Sequence, residues 1–104
     1  MNKDKLVSIS SYGEYSSSNY GAHCMMVDIP ASAKNKHGIT LYFSYNTLIA
    51  FRGYVNEEKR GLFIIKNYWA STTGKHLNFI CSDKNRRLDE DVFNALFNKA
   101  IKNA

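Results

Sequence analysis

Alternation of apolar and polar residues, the pattern of a half-buried strand, runs through most of the chain. It is clearest over residues 39–44, where isoleucine, leucine and phenylalanine alternate with threonine, tyrosine and serine. The β-branched and aromatic residues 47–54 follow after the dipeptide Tyr45-Asn46, so these two segments are predicted to form a hairpin. Further strands are predicted over residues 5–10, 22–29, 62–65 and 76–82.

The spacing of apolar residues becomes helical near the C-terminus, after the acidic start Asp89-Glu90-Asp91 that suits a helix N-terminus. One apolar stripe is formed there by Val92, Phe93, Leu96, Phe97, Ala100 and Ile101. The pattern therefore predicts an α+β fold, with a mainly antiparallel, meander-like sheet of five or six strands and one C-terminal helix packed on it. A length of 104 residues fits a single domain over residues 1–104.

Two polar segments, residues 11–21 and 69–75, show neither the alternation of a strand nor the apolar spacing of a helix and are predicted to be loops. The first is rich in serine, glycine and tyrosine, and the second combines Trp69 with threonines and Lys75. Exposed aromatic rings offer flat contact surfaces, and small hydroxyl side chains are adaptable hydrogen-bonding groups. Both loops are therefore candidates for binding.

The charge of the chain changes this picture by favouring an anionic partner. The formal net charge is +5, and residues 34–87 carry ten Lys and Arg against three Asp and Glu. Such a basic middle suits nucleic acid or an acidic protein surface. No apolar stretch predicts a signal peptide or a membrane span, so a cytoplasmic location without membrane contact is expected. Cys24 and Cys81 are then expected to be reduced thiols, with a disulfide between them as the alternative.

Motifs of catalysis and of cofactor binding are absent from the sequence. Thr72-Thr73-Gly74-Lys75 lacks the spacing of a phosphate-binding loop, and no glycine-rich dinucleotide motif or nucleophile elbow occurs. The histidines and cysteines show no paired spacing typical of zinc ligands. We therefore expect no metal and no cofactor. A hydrolase or nuclease is the enzymatic alternative, with His23 and His76 as acid and base if the two polar loops meet.

Three motifs carry a resemblance to a known family. Residues 15–23 contain Ser-Ser-Asn-Tyr-Gly-Ala-His, residues 41–51 contain Leu-Tyr-Phe-Ser-Tyr followed by Thr47 and Ala50-Phe51, and residues 72–78 read Thr-Thr-Gly-Lys-His-Leu-Asn. Over about residues 12–97 the chain resembles a small uncharacterised domain family of bacteria, archaea and phages that shares these motifs. The resemblance implies a surface role for the two polar loops and names no activity.

Charge and loops together lead to the hypothesis of a small, basic, non-enzymatic protein of phage or mobile-element type that binds nucleic acid. The alternative is an inhibitor or adaptor that blocks a host nucleic-acid-handling or defence complex. Both hypotheses use the same candidate residues and leave the oligomeric state open. These residues are Tyr15, Tyr20, His23, Trp69, Thr72, Thr73, Lys75, His76, Asn78, Lys84, Arg86 and Arg87.

Overall fold

A computed structural model describes residues 7–12, 24–32, 36–69 and 71–104 of the chain. Its six strands lie side by side in the order in which they occur in the sequence. They are β1 (Ser8–Ser11), β2 (Met25–Ile29), β3 (Ile39–Ser44), β4 (Thr47–Tyr54), β5 (Arg60–Ile65) and β6 (Arg87–Leu88). Neighbouring strands are antiparallel except for β6, which runs parallel to β5. The predicted α+β fold with a meander-like sheet is confirmed, and β3 and β4 have their predicted bounds.

Two helices of the described chain, α1 (Ser71–Ile80) and α2 (Glu90–Asn103), cover opposite faces of the sheet. Phe51 of β4 faces α2, because its ring lies 5.4 Å from the rings of both Phe93 and Phe97. Side chains alternate along a strand, so the neighbouring Ala50, paired with Tyr42, faces the other way. On that second face, Tyr42 and Ile80 of α1 line the same cavity. Completely buried residues of the core lie on both faces of the sheet, beneath each of the two helices.

Helix α1 corrects two predictions from the sequence. Residues 69–75 were predicted as a loop and residues 76–82 as a strand, whereas one helix runs from Ser71 to Ile80. Thr73, His76 and Leu77 are buried and Ile80 is half-buried, at positions three or four residues apart. This is the spacing of one helix face, and it places a threonine and a histidine among the residues that face the sheet. The predicted C-terminal helix is confirmed as α2, and α1 is a second helix in place of the predicted loop and strand.

Replacing Gly74 with alanine tests the helix directly. In the middle of a helix this change is expected to raise the free energy of unfolding by up to about 1 kcal/mol, because glycine loses more conformational freedom on folding. Among the described residues, the added Cβ would meet only Asn67 Nδ2, at 3.0 Å, the end of an exposed side chain. This side chain, whose Oδ1 accepts a hydrogen bond from the Trp69 N–H, has to shift by a few tenths of an ångström. Urea denaturation of the wild type and Gly74→Ala measures the difference.

A strand glycine provides the matched control for this variant. A Cβ on Gly53 would lie 3.2 Å from Cγ1 of the buried Ile39, so Gly53→Ala is expected to destabilise the fold. Destabilisation by Gly74→Ala of the same size would contradict the helical assignment of residues 71–80.

No helix of the described residues is long and apolar enough to cross a membrane. Neither cysteine forms a disulfide in the described structure, where Cys24 is buried in the core and Cys81 is half-buried after the end of α1. The structure therefore does not contain the alternative, a disulfide between Cys24 and Cys81.

Candidate functional site

A basic groove runs along the outer edge of β5. It exists because β6 has only two residues and pairs only with Ile64 and Ile65, so the first half of β5, which pairs with β4 on its inner side, has no strand on its outer side in the described structure. The 3₁₀ helix Lys84–Arg86 lies across from that half, and the groove between them has a volume of about 390 Å³. Its lining residues are Lys59, Arg60, Gly61, Leu62, Phe63, Asn85, Arg86 and Leu88.

Local hydrogen bonds fix the wall of the basic groove that the 3₁₀ helix forms. Asp83 caps this helix, since its Oδ1 accepts a hydrogen bond of 3.0 Å from the Asn85 backbone N–H. The Arg86 guanidinium then reaches across the groove, and its Nη2 donates to the Leu62 carbonyl oxygen at 2.9 Å. The Asn85 backbone and the Arg86 side chain are therefore fixed beside β5 by these two contacts.

Two lysines near the sheet are neutralised by acidic partners, whereas the cations in and beside the groove have no such partner among the described residues. Lys36 Nζ lies 2.8 Å from Glu57, and Lys66 Nζ lies 2.6 Å from Asp89. Lys59, Arg60 and Lys84 form no ion pair with any residue that the structure describes, and all three are exposed. Positive charge on exposed side chains without acidic partners is available to an anionic ligand.

Shifted pKa values are found on the neutralised pairs outside the groove. Hydrogen bonds from Lys36 and then from His37 lower the pKa of Glu57 below its usual range. The hydrogen bond to Asp89, reinforced by its negative charge, raises the pKa of Lys66 above its usual range. Both groups are fully exposed, so these pairs contribute little to stability. They keep Lys36 and Lys66 occupied with acidic partners of the chain itself.

A second polar contact joins α1 to β6 beside the groove. Arg87 Nη2 donates a hydrogen bond of 2.6 Å to Asn78 Oδ1, which brings together two residues predicted from sequence to bind a ligand. Arg87 Nε is buried and has no hydrogen-bond partner within the described residues. Arg87 is half-buried in this position, so its main role is to tie the helix to the edge of the sheet.

Two other predicted site residues form a buried hydrogen-bond network under α1. Ser44 Oγ lies 2.7 Å from His76 Nδ1 and 3.0 Å from Thr73 Oγ1. Ser44 is 2% exposed, Thr73 is 7% exposed and His76 is completely buried. A ligand on the surface cannot reach these groups, and their arrangement indicates that they hold α1 on the sheet.

The family of the chain follows from a comparison with family models. The model of DUF8033, a family of unknown function, matches residues 7–95. The chain belongs to this family. The match includes all three motifs and most of the sheet, and it ends inside α2. No curated protein and no solved structure matches the chain in sequence or fold comparisons. Membership of DUF8033 confirms an uncharacterised domain family and assigns no activity.

Several predicted site residues lie outside the described part of the chain. Tyr15, Tyr20 and His23 are among these residues, as is the side chain of Thr72. The approach of His23 to His76, on which the hydrolase alternative depends, therefore also lies outside the described residues. Trp69 is 39% exposed and its ring packs against Tyr68 at 6.0 Å. The predicted residues Lys75 and Lys84 are both exposed.

Sequence reasoning missed the half of the groove that β5 supplies. The pattern places Lys59 and Arg60 only in a charged turn, and Phe63 only in a buried strand. The two residues of β6, Arg87 and Leu88, carry no strand pattern in the sequence and are too few to cover a strand as long as β5. The parallel pairing of these strands joins residues more than twenty positions apart, which no local pattern reveals.

Proposed function

We propose that this chain is a small, basic, non-enzymatic protein that binds nucleic acid through the basic groove. The observation that carries the proposal is the pair of unneutralised cations that line the groove, Lys59 and Arg60, beside a concave apolar surface. Phosphates attract such cations without any need for catalytic groups, and neighbouring apolar side chains can contact bases or sugars. Arg86 adds a guanidinium already positioned by Leu62.

The salt dependence of oligonucleotide binding tests this proposal. We expect the logarithm of the association constant to fall linearly with the logarithm of salt concentration, because bound cations displace counterions from phosphates. In the double variant Lys59→Gln with Arg60→Gln, the slope for a single strand should decrease by about 1.4, or about 0.7 for each phosphate that the variant no longer neutralises. Fluorescence anisotropy with a labelled oligonucleotide of about 12 nucleotides, within the usual range of site sizes, measures the association constants of the wild type and the variant at each salt concentration.

The matched control removes the same charge from the exposed surface of α2. Lys99→Gln with Lys102→Gln lowers the net charge equally but leaves the groove intact, so its slope should equal that of the wild type. Equal slopes for both double variants would show binding by net charge alone and reject the groove. Absence of binding to any oligonucleotide at about 50 mM salt would reject nucleic acid as the ligand altogether.

A second candidate function rests on exposed aromatic residues. Tyr68 and Trp69 are 54% and 39% exposed, and such side chains are frequent energetic centres of protein interfaces. They favour the alternative of an inhibitor or adaptor that blocks a host nucleic-acid-handling complex. Capture experiments from nuclease-treated host lysate separate the two functions. One stoichiometric protein partner that is retained by the Lys59→Gln, Arg60→Gln variant and lost with Trp69→Ala supports the second function.

A further inference from the structure

The basic groove has an apolar floor as well as a cationic rim. Phe63 and Leu88 are half-buried and supply the floor from one face of the sheet, because Leu88 pairs with Ile65, two residues after Phe63, whereas Lys59 and Arg60 are exposed at the rim. The volume of about 390 Å³ lies within the range of roughly 300–1,000 Å³ typical of pockets that hold small organic groups. A ligand that only carried negative charge would leave this floor in water. The floor therefore indicates a ligand with a flat apolar group next to its charge.

Phe63 is rigidly placed within this floor. Its ring stacks on Phe51 at a centroid distance of 5.1 Å, and Phe51 is itself completely buried. The absence of a side chain at Gly61 leaves room for the Phe63 ring, because a Cβ there would lie 3.3 Å from Phe63 Cζ. An aromatic ring fixed from behind loses little conformational entropy when a ligand packs on its exposed part.

The open edge of β5 is not suited to an additional peptide strand. Strand addition requires the outward-facing backbone groups of the edge to be available for main-chain hydrogen bonds. The Leu62 carbonyl oxygen already accepts a hydrogen bond of 2.9 Å from Arg86 Nη2. An incoming strand would have to displace this guanidinium, so the contacts still available in the groove are side-chain charges, apolar surface and the Asn85 amide.

Double-stranded nucleic acid also fits these contacts poorly. The faces of its bases are stacked on each other, and its surface offers phosphates, sugars and base edges. A single strand can place an unstacked base on an apolar or aromatic surface while its phosphates contact neighbouring cations. The Asn85 side chain is exposed at the groove, and its amide both donates and accepts, as recognition of a base edge requires.

We infer that the basic groove binds one unstacked base of a single-stranded nucleic acid, with Phe63 and Leu88 beneath the base and Asn85 at its edge. Lys59, Arg60 and Arg86 contact the flanking phosphates. This inference rests on the proposed function and specifies which nucleic acid the same site selects. It applies to single-stranded RNA and single-stranded DNA, which share this chemistry.

Three probes of equal length test the inference on the full chain: a single strand of about 12 nucleotides, the duplex of the same sequence, and an abasic strand that keeps its phosphates. At about 150 mM salt, the single strand should bind about tenfold more tightly than the duplex and the abasic strand, because only it can place a base on the floor. RNA and DNA versions of the single strand determine which sugar is preferred.

A neutral substitution in the groove provides a second, independent readout. Asn85→Ala should weaken single-strand binding about fivefold, because alanine cannot form hydrogen bonds with the base edge, and it should leave the salt slope unchanged. Asn94→Ala, at an exposed position of α2, is the matched control and should bind like the wild type. Circular dichroism of both variants shows whether each is folded.

Each other outcome contradicts the inference in a different way. Equal affinity for the single strand, the duplex and the abasic strand would overturn it while the proposed function of nucleic-acid binding stands. Competition by polyglutamate that is as strong as competition by the unlabelled single strand would identify an acidic polypeptide as the ligand. Failure of all three nucleic acids to bind at about 50 mM salt would reject the proposed function together with the inference.

Discussion

Replacement of Gly38 by alanine is expected to destabilise the fold by about 3 kcal/mol or more, from a left-handed backbone cost of about 1–2 kcal/mol and a further steric cost. Gly38 has a φ of 73°, and a Cβ there would lie 2.5 Å from the Ile29 carbonyl oxygen and 2.6 Å from the Ala31 backbone nitrogen. Both neighbours are main-chain atoms, so no side chain can rotate to relieve the collision. Urea denaturation of wild type and variant measures the difference.

Asparagine at position 38 separates the two causes of this effect. Asparagine tolerates the left-handed conformation better than alanine does, but it introduces the same Cβ. Gly38→Asn should therefore be nearly as unstable as Gly38→Ala, since the collision remains. Recovery of most of the wild-type stability by Gly38→Asn would show that conformational preference, and not close approach to residues 29–31, dominates. The turn also holds the chain end, because the His37 N–H donates to the Ala104 carbonyl oxygen.

The substitution Ser44→Ala is expected to lower the free energy of unfolding by about 1–3 kcal/mol, which is the usual result of leaving buried polar groups unsatisfied. The Ser44 hydroxyl lies within hydrogen-bond distance of His76 Nδ1 and of Thr73 Oγ1, and all three side chains are buried. Alanine removes the central group of this network. Urea denaturation detects the loss as a lower midpoint without a change in slope.

A double-mutant cycle shows whether these groups act as one network. Ser44→Ala and Thr73→Val are made separately and together, and their effects should be clearly non-additive, by about 0.5 kcal/mol or more, because they share a hydrogen bond. Ser82→Ala, at an exposed position, is the control and should change stability by less than about 0.5 kcal/mol. Additive effects, or a Ser44→Ala variant as stable as the Ser82→Ala control, would contradict the network.

Alternation along the sequence predicted the central hairpin because that hairpin depends on local contacts. β3 and β4 are joined by two residues, and their register brings Leu41 opposite Phe51 through neighbouring positions of the chain. The C-terminal helix was predicted for a similar reason, since Phe93, Phe97 and Ala100 repeat at helical spacing. Where apolar side chains alone face the core, their period reveals the element that carries them.

Helix α1 was missed because polar residues occupy half of its buried face. Thr73 and His76 lie on that face with Leu77 and Ile80, and a pattern based on apolar residues does not count them. In the sequence, Leu77, Phe79 and Cys81 alternate with other residues at the period of a strand. The burial of Thr73 and His76 depends on a hydroxyl from Ser44, about thirty positions earlier in the chain. Local propensity cannot include such a distant partner.

The sequence predicted only one wall of the basic groove, the one that the 3₁₀ helix Lys84–Arg86 supplies. Lys84, Arg86 and Arg87 form a basic cluster in the sequence, and two of them contribute to the groove or to its edge. Lys59 and Arg60 join that cluster only because β6 pairs with β5 across the whole of α1. Formation of a concave surface from distant segments is a tertiary event, and charge counted along the chain does not show which cations will become neighbours.

The strands lie in the sheet in the same order as in the chain, and this order affects how the protein can fold. Each strand from β2 to β5 pairs with the strand synthesised immediately before it, so the sheet can grow one strand at a time as the chain leaves the ribosome. β6 alone cannot join in this way, because its parallel partner β5 is separated from it by α1. The pairing of β6 with β5 therefore needs a contact between segments separated by the whole of α1, so this edge of the sheet, unlike the rest, does not form from strands that follow each other in the chain.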